Sequence, residues 1–488
     1  MNRLWQCSYY VLFMVCSILC LSLAGCSGKE TAISTSLSSP GPELDSSDEE
    51  EKEKTTDPVE EIIAPFPETQ PFAELEQIPG IKILIATDIH YLAKELTDGN
   101  PVFVQMVEHG DGKVTNYIQE IMEAFTQEVI QEHPDLLLIT GDISFNGELK
   151  SHEEFAEYLK EIENCGIPVA VIPGNHDINN TGASRYFRGE RAPAEPTSPE
   201  QFYSIYREFG YDEAVSRDEE SLSYVYPISE KVWGLMLDSC QYRDENLVGG
   251  MIDTETYAWI EEQLNFATEA GVMLLPMSHH NLLDESRIYV DDCTIEHSER
   301  LKEMLIGWGA PLYLSGHLHV QHYMNSDFEW EAGGDTGIYE IVTSSLSTPP
   351  CQYGVLFFQE NGSFQYHTQI LAMDSWARAS GQDDLNLLNF SRYREDFLEN
   401  VFYNQAYDEL SKVKNPEFTP RQMERMAQVY GKANCYYYWG RAVEIADALQ
   451  KSQEYELWWD YAGNSSQAEY LDYILDEALM DYNYLKVE

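Results

Sequence analysis

Pro173-Gly174-Asn175-His176-Asp177 closes an apolar run, Ile167 to Ile172, that reads as a buried strand passing into a tight turn. The turn sets an amide oxygen, an imidazole and a carboxylate side by side at the carboxyl edge of a sheet, where open sheets hold ligands. The pattern recurs along the chain. Ile81 to Thr87 runs into Asp88-Ile89-His90, Leu136 to Thr140 into Gly141-Asp142, Val272 to Ser278 into His279-His280, and Pro311 to Ser315 into Gly316-His317-Leu318-His319. Strands that deliver hard nitrogen and oxygen donors to one edge imply a metal site. Without thiolates, the donor set suits Mn, Fe or Zn rather than Ca.

This ordered set, D-x-H, G-D, G-N-H-D, H and G-H-x-H between about Ile81 and Leu371, resembles the calcineurin-like metallophosphoesterases. The resemblance implies two divalent transition-metal ions. Asp88, His90, Asp142 and His319 would surround one, and Asp142, Asn175, His279 and His317 the other, with Asp142 shared. It leaves His176 off the metals and facing the phosphate as a catalytic residue, with Asp177 orienting its imidazole. Along an extended chain only one of His279 and His280 points inward; the family pattern places His279 there, with His280 backing it or facing substrate. Purple acid phosphatases put an iron-binding Tyr three positions after the shared Asp, where this chain has Phe145, so that branch is disfavoured. Two ions about 3.5 to 4 Å apart polarise phosphoryl oxygens for in-line attack.

The function implied is a binuclear phosphodiester hydrolase acting on cyclic nucleotides or other small phosphodiesters. A phosphomonoesterase or nucleotidase is the nearer alternative, and an inactive membrane-tethered binding protein the more distant one. A degenerate relative would have lost ligands, whereas every motif position is filled here.

Charge narrows the partners. With 84 acidic against 30 basic residues in 488, net charge −54, there is no basic stripe to neutralise a nucleic-acid polymer. A small anionic phosphoester remains compatible, because bound cations reverse the field locally. Apolar residues make up 43% of the chain, enough for a sizeable core.

Residues 1–26 pair Arg3 with an apolar run from Tyr9 to Leu23 that ends Leu23-Ala24-Gly25-Cys26. The run is short for crossing hydrocarbon. Its ending resembles a bacterial lipoprotein cleavage site, with Cys26 becoming the lipidated first residue; an uncleaved anchor is the alternative. Either places the bulk outside the cytoplasm, attached to the membrane. Residues 27–77, rich in Ser, Thr, Pro and Glu, read as a disordered tether reaching about 40 Å on average. Beyond the leader, Cys165, Cys240, Cys293, Cys351 and Cys435 form no framework and no C-x-x-C pair.

The fold class expected is α+β. Residues 78–372 would form two packed mixed sheets flanked by helices, the metallophosphoesterase sandwich, and 373–488 an all-helical domain. Tyr91 to Lys113, with Gly99, Pro101, Gly110 and Gly112, reads as a long substrate-shaping loop. Ser151-His152-Glu153-Glu154 reads as a capping box with His152 on the surface, Ser198 to Gln201 as another, and Thr419 to Gln422 as a third. Gly431 reads as a helix stop, and the Tyr- and Leu-rich close to Leu485 as helix. Tyr436-Tyr437-Tyr438-Trp439 and Trp458-Trp459 read as core in preference to a base-stacking surface.

Overall fold

The computed structural model describes residues 77–488 apart from 289, 328–336, 415–417 and 464. The leader, Cys26 and the tether up to residue 76 lie outside the described residues. Among those described, no helix is long and apolar enough to cross a membrane.

Two sheets form the centre. The first runs β15-β14-β13-β1-β2-β3, with β1 at Ile81–Ala86, β2 at Leu136–Thr140, β3 at Val169–Ile172, β13 at Gln352–Phe358, β14 at Phe364–Ile370 and β15 at Tyr484–Val487. Strands β1, β2 and β3 are parallel, in a register that pairs Leu84 with Leu137 and Leu138 with Ala170. The second sheet runs β11-β12-β10-β9-β8-β7-β6. Its strands are β6 Ser216–Arg217, β7 Tyr224–Pro227, β8 Val232–Met236, β9 Met273–Met277, β10 Leu312–Ser315, β11 His322–Asn325 and β12 Tyr339–Val342. A small hairpin, β4 Ser184–Phe187 with β5 Glu190–Pro193, stands apart.

The parallel strands are apolar throughout because both faces are covered. Leu84, Ile85, Leu138, Ile139 and Val171 are all fully buried, each contributing about 1.5–3 kcal/mol of transfer free energy. One core joins the inner faces of the two sheets, with Met236, Leu275, Leu314 and Ile341 of the second meeting strands of the first. Tyr224 Oη crosses between them to donate to Val171 O at 2.7 Å. Helices Ile118–Glu132 and Leu149–Asn164 contribute Phe125, Val129, Phe155 and Leu159 to that core. Helices Thr254–Ala270 and Glu299–Trp308 build a separate core on the outside of the second. The α+β sandwich expected from the sequence is the architecture observed.

Several local expectations are corrected. The stretch after His90 is not all loop, because Pro101–Glu108 is a helix whose first turn is capped by the Asn100 side chain, accepting from Val102 N and Phe103 N. Helix Leu149–Asn164 begins before Ser151, so no capping box forms there. His152 is fully buried, bonding Tyr206 Oη at 2.9 Å and donating to Asp177 O at 3.0 Å. The boxes at Ser198 and Thr419 form as expected.

The C-terminal region is helical from Met373 to Asp476 around its own core. Helix Pro420–Tyr438 runs straight through Gly431, where a Cβ would meet Glu399 O at 2.6 Å. Gly431 therefore lets two helices approach rather than ending one. Tyr436, Trp439 and Trp458 are buried, as core aromatics are, whereas Tyr437 and Tyr438 are half-buried and Trp459 is exposed. The close of the chain is not helical. Tyr484–Val487 is an edge strand of the first sheet, pairing Phe364 with Val487.

Candidate metal centre

Each ligand-bearing loop leaves a parallel strand and is tied to its neighbour. Asp88 N donates to Gly141 O at 3.1 Å, His90 N to Asp142 O at 2.9 Å and Tyr91 N to Ile143 O at 2.8 Å, so the first two loops run side by side. The convergence of Asp88 with His90 is therefore not strand alternation. Both sit at positive φ (51° and 48°), as do Asp142 (48°), His317 (71°) and His319 (61°). Non-glycine residues reach that region at a cost that the surrounding structure must meet, and such residues cluster at functional sites. Two glycines make room. A Cβ on Gly141 (φ 98°) would stand 2.6 Å from His279 Nδ1, and one on Gly174 would stand 2.1 Å from Asp142 N.

Two donor groups result, Asp88 with His90, Asp142 and His319, and Asp142 with His279 and His317, each with its donor atoms within 4.8 Å of one another. His90 Nε2 lies 3.0 Å from His319 Nε2, and His319 Nε2 3.3 Å from Asp88 Oδ1. In the second group His279 Nε2 is 3.4 Å from Asp142 Oδ1, 3.2 Å from His317 Nδ1 and 3.1 Å from Asn175 Oδ1. A tetrahedral ion with bonds of about 2.0–2.1 Å spaces its ligand atoms by roughly 3.3 Å. Asp88 Oδ1 is moreover buried without a hydrogen-bond partner, a lone pair that a cation satisfies. The donors fit divalent ions.

Carbonyls aim the imidazoles. Thr140 O accepts from His279 Nδ1 at 2.9 Å, and Asp292 O from His317 Nε2 at 3.0 Å, directing the other nitrogen of each ring inward. Burial raises the Asp142 carboxyl, but His279 and His176 outweigh it and hold it well below the usual range. Burial alone would depress His279; the Asp142 charge lifts it to about 9. Burial and the neighbouring His279 press His317 down to about 3.

His280 faces away, bonding Ser239 Oγ at 2.8 Å and donating to Val248 O at 2.8 Å, while His279 is the one of the two that joins a donor group. His176 stands beside the donors, its Nε2 3.9 Å from Asp142 Oδ2. Its Nδ1 donates to Phe145 O at 2.9 Å, with Asn146 Oδ1 at 3.1 Å. Asp177 does not orient that ring. Its buried carboxylate accepts from Ile143 N at 3.1 Å and from Ser144 N and Gly174 N at 2.8 Å each, pinning the turn to the preceding loop. The catalytic role expected for Asp177 is replaced by a positioning one. Sequence reasoning had no route to Phe145 O, because a carbonyl carries no residue signature.

The chain matches the family described as calcineurin-like phosphoesterase over residues 81–321, and that described as the C-terminal domain of cyclic nucleotide phosphodiesterase over 372–481. A relative from Arcobacter nitrofigilis, named Probable glycerophosphodiester phosphodiesterase GpdQ, is 28% identical over 39% of this chain and 58% of its own length. The chain thus spans somewhat over half of that relative. Among solved structures, a dimetal phosphatase from Danio rerio is 12% identical, with 60% of this chain and 96% of that one aligned at a TM-score of 0.44. Purple acid phosphatase PPD1 from yellow lupin (Lupinus luteus) seeds is 14% identical, with 61% and 52% aligned at 0.41. Residues 81–321, in which both donor groups lie, thus form a calcineurin-like phosphoesterase domain.

Proposed function

We propose that this protein hydrolyses small phosphodiesters, cyclic nucleotides foremost, at a centre of two divalent ions drawn from Mn, Fe or Zn. The observation that carries the reading is the pair of donor groups sharing Asp142. The match of residues 372–481 to a cyclic nucleotide phosphodiesterase region supports the substrate class. Ions bound there would supply Lewis-acid activation of water and positive charge for the phosphoester. Asp88, His90 and His319 would hold one and Asn175, His279 and His317 the other, with Asp142 available to both. His176, fixed by Phe145 O, directs Nε2 toward the centre, where it contacts the phosphoryl group or the leaving oxygen. Asp177 keeps the turn that carries Asn175 and His176 in register.

The test is a metal-reconstituted screen of cyclic nucleotides, bis-aryl phosphodiesters and phosphomonoesters. Metal-dependent turnover of the cyclic nucleotides above the monoesters is the expected result; preference for monoesters would make the protein a phosphomonoesterase instead.

The same reading places the protein outside the cytoplasmic membrane, held by lipidated Cys26 at the end of Leu23-Ala24-Gly25-Cys26. Cys26→Ser should abolish metabolic labelling with fatty acid, since thioether attachment requires the thiol; undiminished labelling would contradict the anchor.

A further inference from the structure

The segment joining helix Pro101–Glu108 to helix Ile118–Glu132 passes between the donor groups and the C-terminal helical region, which grips it from outside. Gly110 O accepts from Gln405 Nε2 at 3.2 Å. At Gly112 (φ 95°) a Cβ would stand 2.6 Å from Leu398 Cδ1, so the backbone lies directly against helix Phe390–Ser411. On the inner side Val114 N donates to Ser347 O at 2.8 Å, and Ser347 Oγ donates to Asp88 O at 3.0 Å.

Lys113 sits between these grips. Its side chain is 7% exposed and pairs with Asp111 Oδ2 at 2.8 Å. The ammonium stands 6.0 Å from the centroid of the Phe145 ring, the residue whose carbonyl holds His176. Burial raises the Asp111 carboxyl, and Lys113 followed by His319 outweighs it.

An ammonium has three donors, and Lys113 gives one of them to Asp111. Burying a cation with donors left over is costly unless an acceptor arrives. In a chain of net charge −54, a cation held at this place is an uncommon resource. A phosphoester oxygen supplies both the acceptor and the charge.

We propose that Lys113 binds a non-bridging oxygen of the substrate phosphoester, and that helix Phe390–Ser411 holds it there through Leu398 and Gln405. The inference rests on the phosphoester reading above. It gives the helical region a part in substrate affinity without any contact to the ions. Asp111 is the positioning partner that keeps the ammonium aimed.

The test uses the metal-reconstituted full chain. Metal content, calorimetric affinity for inorganic phosphate, and KM and kcat on a bis-aryl phosphodiester are measured for Lys113→Met, Lys113→Arg, Leu398→Ala and Gln405→Ala. Lys113→Met should keep both ions and lose phosphate affinity by about tenfold or more, the scale of one charge-assisted hydrogen bond, with KM rising in parallel. Lys113→Arg should recover most of the loss. Leu398→Ala and Gln405→Ala should raise KM less, with metal content and kcat held. Phosphate affinity within about twofold of the parent in Lys113→Met, with both ions present, would overturn the contact; so would loss of an ion in that variant, which would make Lys113 a support of the metal groups. Phosphate binding that depends on Lys113 in a protein that turns over no phosphodiester would sustain this inference while the proposed activity failed.

Discussion

Along the carboxyl edge of the parallel strands, Asp88, His90, Asp142, His317 and His319 hold left-handed backbone while carboxylates and imidazoles face one another. Among the described residues of 373–476, left-handed φ occurs at Gly381 and Gly440 alone, and the interior is built from Trp458, Tyr430, Leu471 and Met426. The first region is arranged against local preference for the sake of its donors. The second follows local preference, with a capping box at Thr419 and apolar packing behind it. Stability and chemistry are thus separable in this chain, and substitutions in the two regions should report different quantities.

The largest effect is expected at the shared carboxylate. Asp142→Ala should reduce the bound ions below two and lower turnover by about ten-thousandfold or more. Trp458→Ala should do the reverse. Its indole is fully buried against Tyr430 and donates to Met426 O at 3.2 Å, so about 3–5 kcal/mol of stability should be lost while metal content stays whole. Loss of ions from the Trp458 variant would break the separation.

A smaller effect sharpens the comparison inside the first region. His176→Ala should retain both ions and lose roughly a hundredfold in turnover, the scale of a missing proton donor. The deficit should shrink as the leaving group becomes more acidic and be greatest for cyclic nucleotides, whose leaving alkoxide is poor. Equal losses on good and poor leaving groups would leave His176 as a phosphate clamp, and loss of an ion would make it a ligand.

What could be read from the sequence was local. Apolar runs ending in Asp, His or Asn announced both the central strands and the residues that meet at their ends, because a strand end and its donor are adjacent in the chain. His152 was misread because its partners, Tyr206 and the carbonyl of Asp177, come from distant segments. Asp177 was assigned to its neighbour His176, whereas its carboxylate reaches back to Ile143 and Ser144. Gly431 carries the residue type of a helix stop, and only the approach of Glu399 reveals why glycine is there. The helix at Pro101 was legible in principle, since Asn100-Pro101 is a cap followed by a favoured first residue, but the glycines on either side hid it.

Strand β15 bears on how the molecule is made. The first sheet receives its edge strand from residues 484–487, after the whole helical segment has been synthesised. A ribosome releases Phe364–Ile370 long before its hydrogen-bonding neighbour exists, so the nascent sheet waits with an open row of amides and carbonyls. Cutting the gene at the boundary near 372 would make that wait permanent. The helical segment is in this sense spliced between adjacent strands of one sheet, and the two regions are best produced as a single piece.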